Sequence, residues 1–338
     1  MKRSRITFAA IAASSAAFAA APMLIPAPRE MTMTGGEVLA ATNAPKVEVV
    51  ASIPPEGYEL SITTNGVSIR HSDDAGLFYA KMTLAQLRTR TEQSPSLPCL
   101  EIKDAPAFKW RGVHLGETQR LFGKGTIKRM LDLMSRYKFN VFHWHFTDDR
   151  GWRIDFPEYP NLARKSDPPW LCSNEKALFY SKEDVREILA YAKARHITVV
   201  PELDFPGHSR AITAAYPDFV CQTGTKSRPS VLCVGNPETL KFAERVLDWV
   251  CEMFPSEAIH IGGDECSRRP WEKCPRCKAF MERHGMKSAK EIQPWLTRHL
   301  AAYLAKKGRK AIGWSGSSSE RTRFLFAAFA LTGTGAES

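Results

Sequence analysis

The sequence has no uninterrupted apolar run of the ~20 residues that a membrane-spanning helix requires. It also has no extended basic run and no RNA-binding signature, although Lys and Arg outnumber Asp and Glu by 47 to 36 for a formal charge of +11. A positive excess scattered in this way describes a solvated surface rather than a nucleic-acid site. A third absence concerns metal. Cys266, Cys274, Cys277 and His284 lie close together in sequence, but no second CxxC or HxxxH pair completes a zinc motif. Disulfides or free thiols are therefore the favoured reading of the cysteines, and neither a metal nor another cofactor is implied. What is present is an ordinary globular composition, 43% hydrophobic and 25% charged over 338 residues, long enough for more than one domain.

Residues 1–22 place Lys2, Arg3 and Arg5 ahead of a short apolar stretch that ends in small residues, Ala19 to Ala21. That order reads as a secretory signal peptide, with an uncleaved anchor as the alternative. The expectation is an exported chain, periplasmic or secreted, with no membrane span after cleavage and with eight cysteines in a compartment that permits disulfides.

Residues 23–100 read as a small α+β domain. "YELSITTNGVSIRHS" alternates apolar and polar residues around "TNG", a hairpin signal, and "AGLFYAKMTLAQLRT" sets Leu77, Ala80, Leu84 and Leu87 at helical spacing. "SPSLPC" reads as a linker. From residue 107 to 314 short apolar runs ("GVHLGE", "NVFHWHF", "ITVVPEL", "AIHIGG", "KAIGW") alternate with amphipathic helices, the pattern of parallel βα units. Helix starts are marked by Ser181 with Asp184, by Asn236 with Pro237 and by Ser288 with Glu291; Gly308 marks a helix end.

In a βα barrel the chemistry sits on the loops that follow the strands. "TDDRGW", "DFPGH" and "GDE" fall at those places after the second, third and fourth runs. Asp264 and Glu265 are adjacent, and in a regular strand they would point to opposite faces. Gly262 and Gly263 allow a kink through which both carboxylates converge. A pair of that kind suits glycoside hydrolysis, one carboxyl as general acid and its neighbour stabilising positive charge; two close acids also raise each other's proton affinity. A solvated loop pair is the alternative. Asp148 and His208 extend the group into a relay that orients Glu265. Arg111 could bind sugar hydroxyls or serve a salt bridge, and Trp314 could stack on a sugar or fill the barrel. Trp144 and Trp152 read as core or rim.

Together the stretches "KFNVFHWHFTDDRGWRIDFPEYPNL", "HITVVPELDFPGHSRA", "NPETLKFAERVLDWVCEMFPSEAIHIGGDE" and "KGRKAIGW" closely resemble the family 20 glycoside hydrolases, the β-N-acetylhexosaminidases. The resemblance implies a (β/α)8 TIM-barrel catalytic domain, of which about five βα units are present, preceded by a shortened α+β domain with part of its sheet missing. It implies a metal-free, substrate-assisted retaining mechanism on GlcNAc- or GalNAc-terminated glycans. Glu265 would be acid and base, and Asp264 would orient the acetamido group. Asp148 and His208 would tune Glu265, Arg111 would bind the terminal sugar, and Trp314 would line the acetamido pocket.

The chain departs from the family pattern at Gly116, where Asp is usual, at Gln119, where Arg is usual, and in residues 315–338, an atypical tail without a further βα pattern. That tail reads as a C-terminal truncation, which would leave open sheet edges. A catalytically inactive carbohydrate-binding remnant is the corresponding alternative.

Overall fold

The computed structural model describes residues 21–39, 44–89, 96–165, 179–224 and 230–314. The leader up to residue 20 and the tail from 315 lie outside them. The chain divides into two compact units, 1–107 and 108–338.

In the first unit, strands β1 (Glu30–Leu39), β2 (Lys46–Val49), β3 (Tyr58–Thr63) and β4 (Gly66–His71) precede helix α1 (Asp74–Thr89) and strand β5 (Ser96–Asp104). They form a five-stranded sheet in the order β1-β5-β3-β4-β2, antiparallel except for the β2–β4 pair. The "TNG" hairpin is β3–β4. Helix α1 covers one face, burying Ala80, Leu84 and Leu87 with Leu60, Ile62 and Ile69 of the sheet. The linker reading of "SPSLPC" is corrected from Ser96 onward. These residues belong to β5, between β1 and β3, because Leu97, Cys99 and Leu100 bury their side chains in the sheet.

The second unit contains β6 (Gly112–Gly116), α2 (Lys124–Arg136), β7 (Val141–Asp148), the two-residue β8 (Gly151–Trp152), α3 (Asn161–Lys165), α4 (Lys182–Lys193), β9 (Thr198–Leu203), α5 (Arg210–Ala215), α6 (Pro237–Met253), β10 (Ala258–His260), α7 (Arg269–Lys273), α8 (Pro275–Arg283), α9 (Ile292–Lys306) and β11 (Lys310–Ile312). Five parallel strands lie side by side in chain order, β6-β7-β9-β10-β11, joined through α2, α4, α6 and α9. This is an arc of TIM-barrel architecture. Among the described residues no helix is long and apolar enough to cross a membrane.

The helices form where the sequence marks them. Ser181 Oγ accepts the Asp184 N–H at 3.1 Å while Asp184 Oδ2 accepts the Ser181 N–H at 3.0 Å. Asn236 Oδ1 accepts from Glu238 at 3.2 Å, and Gly308 leaves α9 in the left-handed region at φ 70°. Each helix buries an apolar stripe against the strands: Ile127, Leu131 and Met134 on α2, Val185, Ile188 and Ala192 on α4, Val246, Leu247 and Val250 on α6. Each such Leu, Ile or Val contributes about 1.5–3 kcal/mol by leaving water.

Strand β7 shows how the fold separates packing from chemistry. Its side chains alternate, so Phe142, Trp144 and Phe146 are fully buried in the apolar core, while His143 and His145 reach Glu202 of β9. Trp144 and Trp152 are thus core residues. The cysteines also sort themselves. Cys266 packs on Gly207 and His284 against Phe280 and Trp295, whereas Cys274 and Cys277 meet Cys221 and Cys233. The zinc set offered by sequence spacing is therefore not assembled, and no disulfide joins any two of the seven described cysteines.

Candidate active site

Because β7, β9 and β10 are neighbours, the segments that follow them meet at one end of the sheet. Asp148 ends β7, Asp204 follows β9, and Asp264 and Glu265 follow β10. His208, on the loop after β9, is the hub. Its Nδ1 lies 3.1 Å from Asp148 Oδ1 and 3.8 Å from Asp149 Oδ2; its Nε2 lies 3.6 Å from Asp264 Oδ2 and 3.7 Å from Glu265 Oε2. All four residues of the expected relay come together, with Asp148 nearer to His208 than Asp149.

The backbone is bent to achieve this. Gly262 and Gly263 have φ 63° and 98°, and His208 and Glu265 themselves take φ 44° and 45°. Positive φ in residues with a side chain costs on the order of 1–3 kcal/mol and clusters where geometry serves chemistry. Glycine at 262 is required twice over, since a Cβ there would overlap the Asp204 carboxylate. The kink therefore turns both adjacent carboxylates toward one imidazole. Glu265 remains 80% exposed and Asp264 37%, so both face an open approach.

Charge is distributed unevenly over the cluster. Hydrogen bonds to Asp148 and then Asp264 push the His208 imidazole up to about 11 against the opposing effect of burial. His208 is thus a cation throughout the neutral range. Burial works to raise Asp148 and Asp264, but the bond to His208 prevails and both carboxyls lie below their ordinary value. Asp204 goes the other way. Burial, followed by the neighbouring Asp264 charge, pushes its carboxyl up to about 8, with the Gly263 N–H (3.0 Å from Oδ1) only partly compensating. The acid kept protonated is thus Asp204, a residue the sequence did not single out beyond its place in "DFPGH".

Asp204 carries a pH prediction. Folded, it holds its proton to about pH 8; unfolded, it releases it near pH 3.9, so stability falls as pH rises through that window. Asp204→Asn keeps an acceptor for Gly263 and removes this loss. The variant's Tm should exceed that of the parent at about pH 9 and converge with it at about pH 4. Parallel Tm curves would show that Asp204 does not titrate in this way.

Behind the cluster, Glu202 is fully buried and receives Trp314 Nε1 at 2.7 Å, with His260 Nδ1 at 3.0 Å and His143 Nε2 at 2.8 Å. Burial alone would raise this carboxyl; hydrogen bonds from His114, His143 and His260 hold it far below the carboxylate range. Trp314 is fastened by its indole N–H, packs edge-on against His260 at 4.8 Å, and stays 37% exposed.

Arg111 is not brought to this site. It precedes β6, whose Gly112 pairs with Val141 at the start of β7, and Asp148 ends that same β7 seven residues on. At ~3.3 Å per residue the two lie about 20 Å apart along the sheet. The Arg111 guanidinium donates to the carbonyls of Lys138 and Phe108, both at 2.7 Å, tying down the entry to the strands. The sugar-binding reading of Arg111 is therefore corrected. Its signal, an arginine next to the first strand, did not say which end of the strand it occupied. A different guanidinium is near. Arg150, in the turn after β7, donates to Gln119 Oε1 at 3.4 Å. Gly116 ends β6 with no atom closer than 3.9 Å to where a Cβ would stand.

Comparison with known proteins agrees with this architecture. Residues 108–331 match the family model "Glycosyl hydrolase family 20, catalytic domain", and residues 39–105 match "Glycosyl hydrolase family 20, domain 2". The first match runs 17 residues into the segment set apart as a tail. The chain is similar to a β-hexosaminidase of Porphyromonas gingivalis, at 35% identity over 79% of this chain and 36% of the relative. It is likewise similar to one from Vibrio furnissii, at 36% identity over 76% and 45%. It thus spans less than half of the length of either. Among solved structures, a β-N-acetylhexosaminidase from Bacteroides fragilis superposes with a TM-score of 0.78 at 33% identity, covering 88% of this chain and 67% of that one. A Vibrio harveyi exo-β-N-acetylglucosaminidase, solved in complex with N-acetylglucosamine, gives a TM-score of 0.78 at 26% identity, covering 86% and 54%. With its catalytic-domain match extending over most of its length and with His208 and its carboxylates gathered at the strand ends, the chain belongs to glycosyl hydrolase family 20.

Proposed function

We propose that this chain carries the catalytic centre of an exported exo-β-N-acetylhexosaminidase that removes terminal β-linked GlcNAc or GalNAc by a substrate-assisted, retaining route. The observation that carries the reading is Asp264. Its Oδ2 faces His208, while its Oδ1 is buried with no hydrogen-bond partner among the described residues. A buried acceptor left unmatched costs about 1–3 kcal/mol, and the N–H of a 2-acetamido group is a donor of the right kind to satisfy it.

Held in that way, the acetamido carbonyl oxygen attacks the anomeric carbon as the glycosidic C–O bond breaks. The bonding electron pair leaves on the glycosidic oxygen, which takes a proton from Glu265. Asp264, ionised, faces the positive charge of the resulting oxazolinium. The His208 imidazolium, 3.7 Å from Glu265 Oε2, stabilises the carboxylate that proton transfer leaves behind, and Asp148 keeps the imidazole charged and oriented. Water then opens the oxazolinium and returns its proton to Glu265. Trp314, anchored through Glu202, offers its exposed ring edge to the acetamido side of the sugar.

Arg150 takes the sugar-binding part that Arg111 does not. Its guanidinium reaches Gln119, where the family usually supplies arginine, from the neighbouring turn. Arg150→Ala should raise KM for an aryl β-N-acetylglucosaminide about tenfold and change kcat less, the pattern of lost uniform binding. An unchanged KM would remove Arg150 from the sugar site. The overall reading is tested by chromophore release from that substrate. No turnover by soluble, folded chain would favour the inactive carbohydrate-binding alternative.

A further inference from the structure

We propose that Cys221, Cys233, Cys274 and Cys277 form a structural zinc site, a tetrathiolate that ties the loop after β9 to the loop after β10. The four sulfurs lie within 4.8 Å of one another and all four residues are buried. Cys221 to Cys277 is 3.8 Å, Cys233 to Cys274 is 3.7 Å and Cys233 to Cys277 is 3.7 Å. In a zinc tetrathiolate, Zn–S bonds of ~2.3 Å at tetrahedral angles give sulfur–sulfur edges of about 3.8 Å. A disulfide would instead bring two sulfurs to ~2.05 Å and leave each pair indifferent to the other. Here Cys233 stands at the tetrahedral spacing from two different sulfurs, which pairwise bonding does not require.

The surrounding chain is built to hold this geometry. The isolated antiparallel bridge Val220–Leu232 joins the two chain segments that carry Cys221 and Cys233. The Cys233 N–H donates to the Phe219 carbonyl at 2.9 Å. Cys274 is the N-cap residue of α8 and Cys277 lies in its first turn. Gly235 lets the two loops close, because a Cβ there would collide with the backbone of Arg276 and Cys277. Trp271 Nε1 donates to the Leu232 carbonyl at 2.9 Å and fixes the approach from the other side.

Charge also fits a metal. Four thiols that bind Zn²⁺ release four protons and leave a centre of net charge −2. The stretch "RRPWEKCPRCK" supplies Arg268, Arg269, Lys273, Arg276 and Lys278 against a single acid, Glu272. The site has a clear consequence for the catalytic cluster. The connection from β9 to α6 that holds Cys221 and Cys233 also carries His208, and the segment that Cys274 and Cys277 anchor begins directly after Asp264 and Glu265. Gly207 and Asp264 already touch through their backbones, where a Cβ on Gly207 would come within 2.9 Å of the Asp264 carbonyl oxygen. The zinc fixes the two loops whose separation sets the His208–carboxylate distances.

The test is the metal content of the purified full chain, prepared without a histidine tag and without chelator. Near one zinc per chain should survive extensive dialysis and be released by a thiol-modifying mercurial. Cobalt reconstitution should give the sulfur-to-metal charge-transfer and strong ligand-field bands of a tetrahedral tetrathiolate. Cys233→Ser should lose the zinc, whereas Cys251→Ser, on α6 outside the cluster, should keep it. If the parent chain carries no zinc and mass spectrometry finds four free thiols or two disulfides at these positions, the proposal is overturned. Equal zinc retention in Cys233→Ser and Cys251→Ser overturns it as well. If Cys233→Ser fails to fold, the parent's stoichiometry and cobalt spectrum still decide, and neither depends on which reaction the chain performs.

Discussion

Glu265→Gln should lower kcat on an aryl β-N-acetylglucosaminide by about three orders of magnitude, within the 10²–10⁴ range that a positioned general acid contributes. The substitution keeps size and hydrogen-bonding capacity but removes the proton that the leaving oxygen must receive. Glu265 is largely exposed, with its carboxylate 3.7 Å from His208, so the Tm should change little. The combination is diagnostic. A falling rate with an unchanged Tm assigns Glu265 to chemistry; residual turnover near the parent rate would transfer the acid's role to another carboxyl. A substrate with an already activated leaving group should recover part of the loss, because it needs less protonation in the first step.

The second large effect is expected at Gly262, and a second left-handed glycine, Gly285, supplies the control. Gly262 and Gly285 both have φ 63°. An added Cβ at Gly285 would meet nothing within 4 Å, whereas at Gly262 it would overlap the carboxylate and backbone of the buried Asp204. Gly285→Ala should therefore cost only the left-handed penalty, about 1–2 kcal/mol, and leave activity intact. Gly262→Ala adds overpacking in a rigid site, typically a further 1–3 kcal/mol, and displaces the strand end that carries Asp264 and Glu265. Thermal melts with rates for both variants decide the matter. Equal destabilisation with equal activity would mean that the close approach of Gly262 to Asp204 is not needed.

Several features were legible in local sequence because their causes are local. The capping boxes at Ser181 and Ser288 and the Asn236 cap each involve atoms within three residues. The alternation along "NVFHWHF" directly separates side chains facing the core from those facing Glu202, and three polar motifs after successive apolar runs located the reactive end of the sheet. The glycine pair before Asp264 signalled a kink for a reason that the Asp204 contact bears out. Arg111 was misjudged because adjacency to a strand says nothing about which end of it a side chain occupies. "SPSLPC" was misjudged because its prolines suggested a linker where burial against a sheet prevailed.

Sequence alone thus determined the βα order, the starts of α4 and α6, the end of α9 and the family, all written in periodicities and motifs that fit inside one element. Tertiary structure decided which distant residues share a site. Trp314 reaches Glu202 across 112 positions, Cys233 reaches Cys274 across 41, and Cys221 reaches Cys277 across 56. Asp204 acquires its raised proton affinity only once folding has buried it beside Asp264. These pairings depend on where parallel strands end and how the intervening loops close, and neither quantity is encoded in any short window of residues.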